Sequence, residues 1–425
     1  MKAASFSRLV GFFLLKSSLQ SFSYLKDAKL IVISAQNLRS AGGLSVLLQV
    51  LAQLKDCRTR IHVICFASSS KIIPSSIVDQ LSCTIVPLPL SSKSWLARIY
   101  YEYIGFFVFS LHLDIDVWLA LNDLSPFVKA KKRILLFHNA ILFWKPPLAE
   151  LFSSINVCIA WLAYKLLVPV NIHANNFVVA QAYWVKDALQ SMFRLSDSQT
   201  CVIKSHPELP LGSLSCVDKL HNVSSATHPK LSARMDDSTI NSSKDSSYKL
   251  VFPSFPRPFK NLPRLMAAVY NLYRSGLDVS LHLTFDKKTN LLARRIIKNF
   301  PGRPFHYYGF LPKDDLVCLY SYSNALIFPS TLETLGLPLI EYTSICNKPI
   351  LASDLPYAIE ALSDCQNKIL FDPFDIKSIE CAILECINKE SASPLPINSP
   401  MSNLNACRTN AISGWAQVID LAFSS

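Results

Sequence analysis

Residues 324–360 constrain the fold of this chain more than any other part of its sequence. The run 324–328 (NALIF) is short and apolar, which is typical of a buried strand. Residues 329–338 contain glycine and proline and predict a loop, and residues 339–346 predict a helix. A strand that leads through a glycine turn into a helix indicates an α/β fold.

Two carboxylates, Glu333 and Glu341, flank the predicted start of this helix. Loop amides and the positive end of a helix favour an anionic ligand such as a nucleotide diphosphate, whereas carboxylates favour hydroxyl groups. Together these groups predict a nucleotide-sugar site. A capped, solvated helix is the structural alternative, because two spaced glutamates are common in sequences.

Residues 307–360 resemble the donor-site signature of the retaining glycosyltransferases of family 4, of the group 1 type that serves polysaccharide and O-antigen biosynthesis. The matching residues are Gly309, Pro329, Ser330, Glu333, Gly336, Leu337, Pro338, Glu341, Pro349, Ala352, Ser353, Asp354 and Glu360. The resemblance implies the GT-B architecture, with two doubly wound parallel-sheet domains facing across a cleft. Thr334, Leu335 and Asn347 depart from the family, which usually has glycine, an aromatic residue and glycine there.

The resemblance also implies roles for individual residues. Glu333 would be catalytic and hold the donor sugar, and Glu341 would bind the ribose hydroxyls. The donor-binding loop would comprise Thr334, Leu335, Gly336 and Leu337. His138 follows the predicted strand 134–137, at the edge where parallel sheets bind ligands, and the family places a sugar contact there.

Lys260 and Arg257 lie in a loop before a helix that is predicted to begin near Leu262. Cationic side chains in such a loop can clamp a diphosphate. The family usually has an arginine five residues before this lysine, but that position is Phe255 here. Arg257 is therefore either a second phosphate ligand or a surface residue.

The N-terminal half begins with a predicted strand at residues 30–34, a polar loop that ends at Gly42 and Gly43, and a helix at 44–54. Glycines at this turn would let the backbone approach a phosphate or an acceptor, although a helix start with permissive glycines is the plainer interpretation. Further strand-like runs occur at 61–66, 83–87, 117–121, 134–137 and 177–179. Alternation of these runs with helices predicts one nucleotide-fold domain.

We predict four segments along the chain. Residues 1–210 form the acceptor-side domain, and 211–247 are a linker or insertion because they are rich in serine, asparagine and charge. Residues 248–400 form the nucleotide-sugar domain, and a helix within 401–425 returns to the first domain, as the resemblance implies.

The charge balance favours anionic partners, since 42 basic and 30 acidic residues give a net charge of +12. Nucleic acid is not an expected partner, because the sequence has no zinc-finger spacing and no basic stripe with interleaved aromatic residues. Asp114 and Asp116 form a DxD, which holds a divalent metal in the other major transferase architecture. This pair precedes a strand instead of following one, so we expect no metal and no cofactor besides the nucleotide sugar.

The 12 cysteines are scattered without CxxC spacing, which indicates buried thiols in a reducing compartment. The apolar run at residues 9–15 lacks a small-residue cleavage site, so a signal peptide is not favoured. Residues 151–170 predict a buried or interfacial helix, because serine, asparagine and lysine interrupt the run. We expect a cytoplasmic protein with peripheral contact to the anionic inner face of the cell membrane.

The sequence therefore predicts a retaining, metal-independent transfer of a hexose from a nucleoside diphosphate sugar to a hydroxyl of a glycan or lipid-linked acceptor, in cell-surface polysaccharide or lipopolysaccharide biosynthesis. Nucleotide-sugar epimerases and phosphorylases of the same architecture are alternatives. A non-catalytic binding or scaffold relative is another, given the departures at Thr334, Leu335 and Phe255.

Overall fold

A computed structural model describes residues 28–38, 41–91, 94–145, 155–204, 247–392 and 414–424. The apolar run at 9–15 and the predicted linker, apart from residue 247, lie outside these ranges. The chain divides into two compact units. The first comprises the described residues within Met1–Leu142, Ala160–Ser205 and Thr409–Ser425, and the second those within Phe143–Ile159 and His206–Arg408.

The first unit is built on a seven-stranded sheet in the order β3-β2-β1-β4-β5-β6-β7. Its strands are β1 (Lys29–Ala35), β2 (Ile61–Ala67), β3 (Cys83–Pro87), β4 (Val117–Ala120), β5 (Lys132–Phe137), β6 (Phe177–Ala180) and β7 (Thr200–Val202). All neighbouring strands are parallel. The chain therefore winds in both directions from β1, and the strand order reverses between β1 and β4.

Helices lie in most of the connections between these parallel strands, whereas β4 and β5 are joined by the loop of residues 121–131. The helices are α1 (Ala41–Leu54), α2 (Ser75–Gln80), α3 (Trp95–Tyr100), α4 (Phe106–Ser110), α5 (Ile155–Asn171) and α6 (Tyr183–Phe193), with a π-helical turn at Tyr101–Gly105 between α3 and α4. Five residues of β1, Ile31 to Ala35, are buried in succession. Such a continuous apolar strand fits a sheet that is covered on both faces.

The C-terminal segment contributes a helix to the first unit. This helix, Trp415–Ser424, buries Trp415, Val418 and Ile419 in the core that β1, β2 and α1 form. The backbone amide of Trp415 donates to Gln53 Oε1 at 2.8 Å. Residues 206–408, which belong to the second unit, lie in the sequence between this helix and the rest of its core. A distant segment of the chain therefore completes the core of the first unit.

The second unit is built on a six-stranded sheet in the order β10-β9-β8-β11-β12-β13. Its strands are β8 (Tyr248–Phe252), β9 (Val279–Leu283), β10 (Phe305–Tyr307), β11 (Ala325–Phe328), β12 (Ile350–Ser353) and β13 (Lys368–Phe371). The strands are again parallel, and the order reverses between β8 and β11. This reversal marks the ligand-binding edge of a doubly wound sheet.

The helices of the second unit are α7 (Leu262–Arg274), α8 (Leu291–Asn299), α9 (Lys313–Tyr322), α10 (Leu337–Ile345), α11 (Pro356–Ala361) and α12 (Ile376–Ala392). Helix α7 shows the helical spacing of the apolar residues, because Leu262, Leu265, Met266 and Val269 are buried while its opposite face is exposed. The helices thus cover the sheet and leave its carboxyl edge to the loops.

Two predicted helices begin earlier than expected. Helix α1 begins at Ala41, so that Gly42 and Gly43 lie in its first turn and not in a preceding loop. Helix α10 begins at Leu337 instead of residue 339, because the left-handed Gly336 forms its N-cap and Pro338 occupies its first turn.

Among the described cysteines, all are free thiols. Five of them, Cys65, Cys83, Cys201, Cys318 and Cys386, are buried as the sequence predicts. Cys381 is exposed on α12, which differs from that expectation.

Replacing Trp415 with alanine should destabilise the protein by about 3–5 kcal/mol, because the indole is nearly fully buried in the first core. Denaturant unfolding measures this change. Leu421→Ala on the same helix is the control, because Leu421 is 42% exposed and should lose far less stability. Similar losses for both variants would show that the helix does not dock as described.

Candidate functional site

The loops after β8 and β11 meet where the strand order of the second sheet reverses. The loop after β8 ends in a short 3₁₀ turn, Pro258–Lys260, followed by Asn261 in a left-handed conformation. The Phe259 carbonyl accepts from the backbone amide of Thr331 at 2.8 Å, in the loop after β11. Asn261 Nδ2 donates to the Pro373 carbonyl at 2.6 Å. The first bond holds the loops after β8 and β11 side by side, and the second ties the β8 loop to the loop after β13.

Lys260 and Glu333 form an ion pair at this point. Their side chains are only 14% and 17% exposed, so water screens the pair much less than it screens a surface salt bridge. The Lys260 ammonium also lies 5.3 Å from the centre of the Phe328 ring, the last residue of β11. The structure thus brings together two residues that lie far apart in the sequence and that the sequence assigned separately to phosphate and to sugar.

Glu341 lies one helical turn inside α10 and contacts a different lysine. Its Oε1 is 3.9 Å from Lys313 Nζ at the start of α9. Burial raises the pKa of the Glu341 carboxyl, and the nearby Lys313 charge opposes this shift. Glu333 and Glu341 therefore have separate cationic partners, and desolvation favours the protonated form of Glu341.

Gly336 joins the loop to α10 with φ of 63°. A Cβ atom at this position would lie 3.1 Å from both Leu339 Cδ1 and Tyr357 Cδ2. Its neighbours Thr334, Leu335 and Leu337 are half-buried. The turn therefore requires glycine for two reasons. The backbone is left-handed at this position, and the neighbouring side chains leave little room for a Cβ atom.

Ser330 lies at the start of the same loop and is fully buried. Its carbonyl accepts from the Tyr357 hydroxyl at 2.8 Å. Its own Oγ has no hydrogen-bond partner among the described residues. Buried hydroxyls are normally paired, so this atom marks a polar position beneath the loop that the described residues do not satisfy.

Arg257 lies on the exposed side of the β8 loop. Its guanidinium carbon is 5.9 Å from the ring centres of both Phe255 and Phe259. Arg257 therefore shares a loop with Lys260, and aromatic rings orient its side chain. Phe255, which stands where the family usually has arginine, is half exposed.

In the first unit, His138 follows β5 directly and is bonded to Asp123. His138 Nδ1 is 3.1 Å from Asp123 Oδ1, and the same oxygen accepts from the backbone amides of His138 at 2.7 Å and Asn139 at 3.1 Å. The hydroxyl of Tyr164 on α5 donates to Asp123 Oδ2 at 3.0 Å. Asp123 therefore orients the imidazole and ties the ends of β4 and β5 to α5.

Asp123 is 98% buried and adopts φ of 62°. Burial raises the pKa of its carboxyl, but the charge and hydrogen bonds of His138 outweigh burial and hold that pKa below its usual range. A carboxylate that accepts several hydrogen bonds is stabilised in the ionised form. Asp123 is therefore a fixed negative charge behind His138.

A second buried carboxyl, Glu102, lies in the π-helical turn. Its Oε1 accepts from Gln36 Nε2 at 2.7 Å and from Asn122 Nδ2 at 3.3 Å. The buried Arg98 donates to the Asn122 carbonyl. Burial raises the pKa of the Glu102 carboxyl to about 7, although Arg98 and the two amides oppose the shift. This network fills the carboxyl edge between β1 and β4 with coupled polar groups.

Sequence analysis did not identify Asp123, Tyr164 or Glu102. Asn122 and Asp123 follow β4 in the same way that His138 and Asn139 follow β5, and these strands are neighbours. The occurrence of polar residues after both of these strands is the sequence pattern that could have identified Asp123. Tyr164 and Glu102 lie on helices with no polar motif around them, so the sequence offered no signal for either.

Gly42 and Gly43 lie in the first turn of α1, after β1. A Cβ atom on Gly43 would lie 3.2 Å from Leu38 Cδ2. Close packing against the preceding loop therefore accounts for Gly43, and a role in phosphate or acceptor binding stays a prediction.

The DxD pair lies at the amino end of β4, opposite the edge that holds Asp123. Lys131 Nζ is 3.0 Å from both Asp114 Oδ2 and Asp116 Oδ1, and Asp116 Oδ2 accepts from the Leu30 amide at 2.9 Å. Within the described ranges, no group of three or more histidine, cysteine, aspartate or glutamate residues is placed to hold a metal ion. The two aspartates take part in ion pairs and in the anchoring of β1.

Comparison with known families places residues 237–398 among the glycosyl transferases group 1. An 85-residue segment, 20% of this chain, is 32% identical to the O-antigen chain mannosyltransferase B of Escherichia coli. The matched segment spans 22% of the length of that protein. Similarity at the sequence level is thus concentrated in one part of the chain.

Solved structures match far more of the chain. An α,α-trehalose-phosphate synthase from Burkholderia vietnamiensis matches 85% of this chain and 92% of its own, with a TM-score of 0.55 and 13% identity. Anabaena HepE in complex with UDP and glucose matches 85% and 91%, with a TM-score of 0.51 and 14% identity. A sucrose-phosphate synthase from Thermosynechococcus elongatus matches 86% and 90%, with a TM-score of 0.52 and 13% identity. The predicted GT-B fold is confirmed.

Replacing Gly336 with alanine should destabilise the second unit by more than the roughly 1–2 kcal/mol of left-handed backbone strain, because the new methyl group would also crowd Leu339 and Tyr357. Gly302→Ala is the matched control, since Gly302 has φ of 69° with no atom within 4 Å of the added Cβ. Urea unfolding compares the two variants. Equal losses would contradict the close packing at Gly336.

Raising the pH should destabilise the protein through Glu102. The folded pKa of about 7 exceeds the ordinary 4.5, so the native state keeps a proton that the unfolded chain releases, and stability falls as pH rises between these values. Through this group, the free energy of unfolding should fall by at most about 1.4 kcal/mol per pH unit. Glu102→Gln should remove this slope, whereas Glu385→Gln on the surface of α12 should retain it. Parallel unfolding profiles for wild type and Glu102→Gln would contradict the prediction.

Proposed function

Because residues 237–398 form a domain of the glycosyl transferases group 1 family, we propose that this chain transfers a hexose from a nucleoside diphosphate sugar to a hydroxyl group of a glycan or lipid-linked acceptor. The observation that carries the proposal is the shielded Lys260–Glu333 pair at the strand-order reversal of the second sheet. It supplies one cation for a diphosphate and one carboxylate for a sugar hydroxyl at the same place.

Departure of the nucleoside diphosphate places negative charge on the bridging phosphate oxygen. An ammonium group has three donors, so Lys260 can bind a phosphate oxygen while it keeps its bond to Glu333. The N-terminus of α10 and the Arg257 guanidinium add positive potential in the adjoining loops. We therefore propose that these groups stabilise the leaving group without a metal ion.

The carboxylates divide the recognition of the donor between them. Glu333 accepts a hydrogen bond from the sugar and Glu341 from the ribose hydroxyls. Binding of the ribose favours the ionised form of Glu341, which desolvation disfavours in the structure as described. The nucleotide would therefore be recognised partly through the protonation state of this residue.

His138 serves as a further sugar contact in this proposal. His138 Nδ1 lies 3.1 Å from the Asp123 carboxylate, which leaves Nε2 to contact a hydroxyl group of the sugar. Asp123 fixes the orientation of the ring. Transfer with retention of configuration is proposed on the family resemblance.

The relatives guide the choice of donor and pathway. The E. coli relative is named as an O-antigen chain mannosyltransferase, and Anabaena HepE was solved with UDP and glucose. We propose a UDP-hexose or a mannose-carrying nucleoside diphosphate as the donor and cell-surface polysaccharide as the product.

A thermal-shift screen of the purified protein against UDP, GDP, ADP and dTDP and their hexose conjugates tests the donor. A ligand at about 100 times its Kd stabilises a protein by about 2.7 kcal/mol, so a true donor nucleotide should raise Tm clearly. We expect stabilisation by one nucleotide with and without chelator. Stabilisation that disappears with chelator would overturn the metal-independent mechanism, and no stabilisation by any nucleotide would overturn the donor site.

Replacing Glu333 with glutamine should lower hexose transfer by about 100-fold or more while leaving the protein folded, because the amide still accepts from Lys260 but carries no charge. Glu385→Gln is the matched control, since Glu385 is paired with Lys389 on the exposed face of α12. Turnover with the donor that the screen identifies measures both variants. Wild-type turnover in Glu333→Gln would remove Glu333 from the mechanism.

A further inference from the structure

Helix α5 exposes a stripe of large aliphatic side chains. In the part of α5 that belongs to the first unit, Leu162, Leu166 and Val170 are each 51–64% exposed. Their spacing of four residues places them on one face of the helix. The opposite face is buried through Tyr164, Val168 and Ile172 of the segment that continues it. An amphipathic helix of a soluble domain normally buries its apolar face, but here both faces are apolar and one of them is uncovered.

The helical stretch from α3 to α4 carries a second exposed stripe. Leu96, Tyr100, Ile104, Phe107 and Leu111 are each 42–80% exposed. The charged residues of this stretch, Arg98 and Glu102, are buried on its inner side. The outer face is therefore apolar and uncharged along about four turns.

The two helical stretches touch each other within the first unit. Tyr103 Oη donates to the Leu167 carbonyl at 3.2 Å, and the Trp95 and Tyr164 rings lie 6.3 Å apart. None of these four contacting residues belongs to either exposed stripe. The two apolar stripes therefore flank one contact, and we call them together the paired apolar stripes. Monomeric soluble proteins rarely expose contiguous apolar areas of this kind.

Residues 126–133, which comprise the loop before β5 and the first two residues of that strand and are together called the basic loop, adjoin the ends of both helical stretches. Asn171 Nδ2 donates to the Pro126 carbonyl at 2.9 Å, and the Lys129 amide donates to Ser110 Oγ at 2.8 Å. The exposed Phe127 ring lies 5.1 Å from the ring of Tyr103. The loop thus places an exposed aromatic ring beside the stripes.

The loop also carries four cationic side chains, those of Lys129, Lys131, Lys132 and Arg133. Lys131 is paired with Asp114 and Asp116, as described above. Lys129, Lys132 and Arg133 leave a net positive edge next to an apolar face. Apolar area bordered by cationic residues matches the acyl and headgroup regions of an anionic bilayer.

The length and hydropathy of α5 also suit a membrane span, since residues Val157–Ala174 have a mean hydropathy of 1.5. The contacts of its inner face oppose that role. Tyr164 is bonded to Asp123, and Asn175 Nδ2 donates to Ser125 Oγ at 2.6 Å just beyond the helix. A spanning position would break these buried hydrogen bonds, whereas a helix lying on the bilayer keeps them.

We propose that the paired apolar stripes and the basic loop dock the first unit onto the surface of a bilayer that contains anionic lipid. The apolar side chains enter the acyl boundary, and Lys129, Lys132 and Arg133 contact lipid phosphates. This docking does not depend on the transfer reaction, so it is tested by binding alone.

The experiment is co-sedimentation of the full-length protein with vesicles of phosphatidylcholine alone or with added phosphatidylglycerol. We expect binding to the anionic vesicles. The double variant Leu162→Glu/Leu166→Glu should weaken it by about tenfold or more for each leucine, because each loses the transfer of its side chain from water. The double variant Leu291→Glu/Ile359→Glu is the matched control. Its two positions, 70% and 49% exposed in the second unit, should leave binding unchanged.

A second variant tests the electrostatic part. Lys129→Ala/Lys132→Ala should weaken binding to anionic vesicles by about fivefold per lysine and leave binding to phosphatidylcholine unaltered. Circular dichroism confirms that each variant is folded.

Three results would overturn the proposal. The first is wild-type protein that does not bind anionic vesicles. The second is binding that survives Leu162→Glu/Leu166→Glu, which would place the membrane contact elsewhere, for example in residues 1–27. The third is a wild-type dimer in solution that the same double variant converts to monomer, which would make the stripes an interface between copies of this chain.

Discussion

Burial of both faces of two parallel sheets is the constraint on which the rest of the structure depends. Strands such as β1 and β9 are apolar along almost their whole length, so helices must cover each sheet on both sides. Every connection then crosses a face and returns to the same edge, and the loops at the carboxyl edge are left to carry polar groups. The order reversals between β1 and β4 and between β8 and β11 concentrate those loops at one position in each unit.

Buried charges at these edges follow one pattern: each ionised group is held by a specific partner. Lys260 pairs with Glu333, and Asp123 is held by His138, Asn139 and Tyr164. Burying a charged group without a partner costs free energy. Removing one partner of a buried pair therefore lowers the stability of the fold more than removing one partner of a surface ion pair. Glu102 accepts its hydrogen bonds from the side-chain amides of Gln36 and Asn122, and burial raises the pKa of its carboxyl to about 7. The first unit thus combines the fixed charge of Asp123 with one carboxyl group whose pKa is raised.

Much of the fold was predictable because apolar periodicity and turn residues act locally. The strands Cys83–Pro87 and Ala325–Phe328, and the α/β alternation around them, follow from short apolar runs bounded by polar loops. The group 1 family was predicted from the residues around Glu333, and the match over residues 237–398 confirms it. Helix boundaries were less accurate, as α1 and α10 show, because a left-handed glycine and a proline in the first turn extend a helix beyond its apolar pattern. The sequence predicted that Glu333 and Glu341 flank the start of α10, and the structure adds that Glu341 lies near Lys313 whereas Glu333 pairs with Lys260.

The sequence by itself determined the two α/β units and the residue types in the loop between β11 and α10, because each of these depends on neighbouring residues along the chain. The tertiary structure alone decided which distant groups meet. Lys260 meets Glu333 across 73 positions and Tyr164 meets Asp123 across 41. Trp415 enters a core formed by residues near the other end of the chain. The exposed stripes of α5 and of the stretch from α3 to α4 likewise became visible only in the fold, since an apolar helix in a sequence does not reveal which of its faces the protein covers.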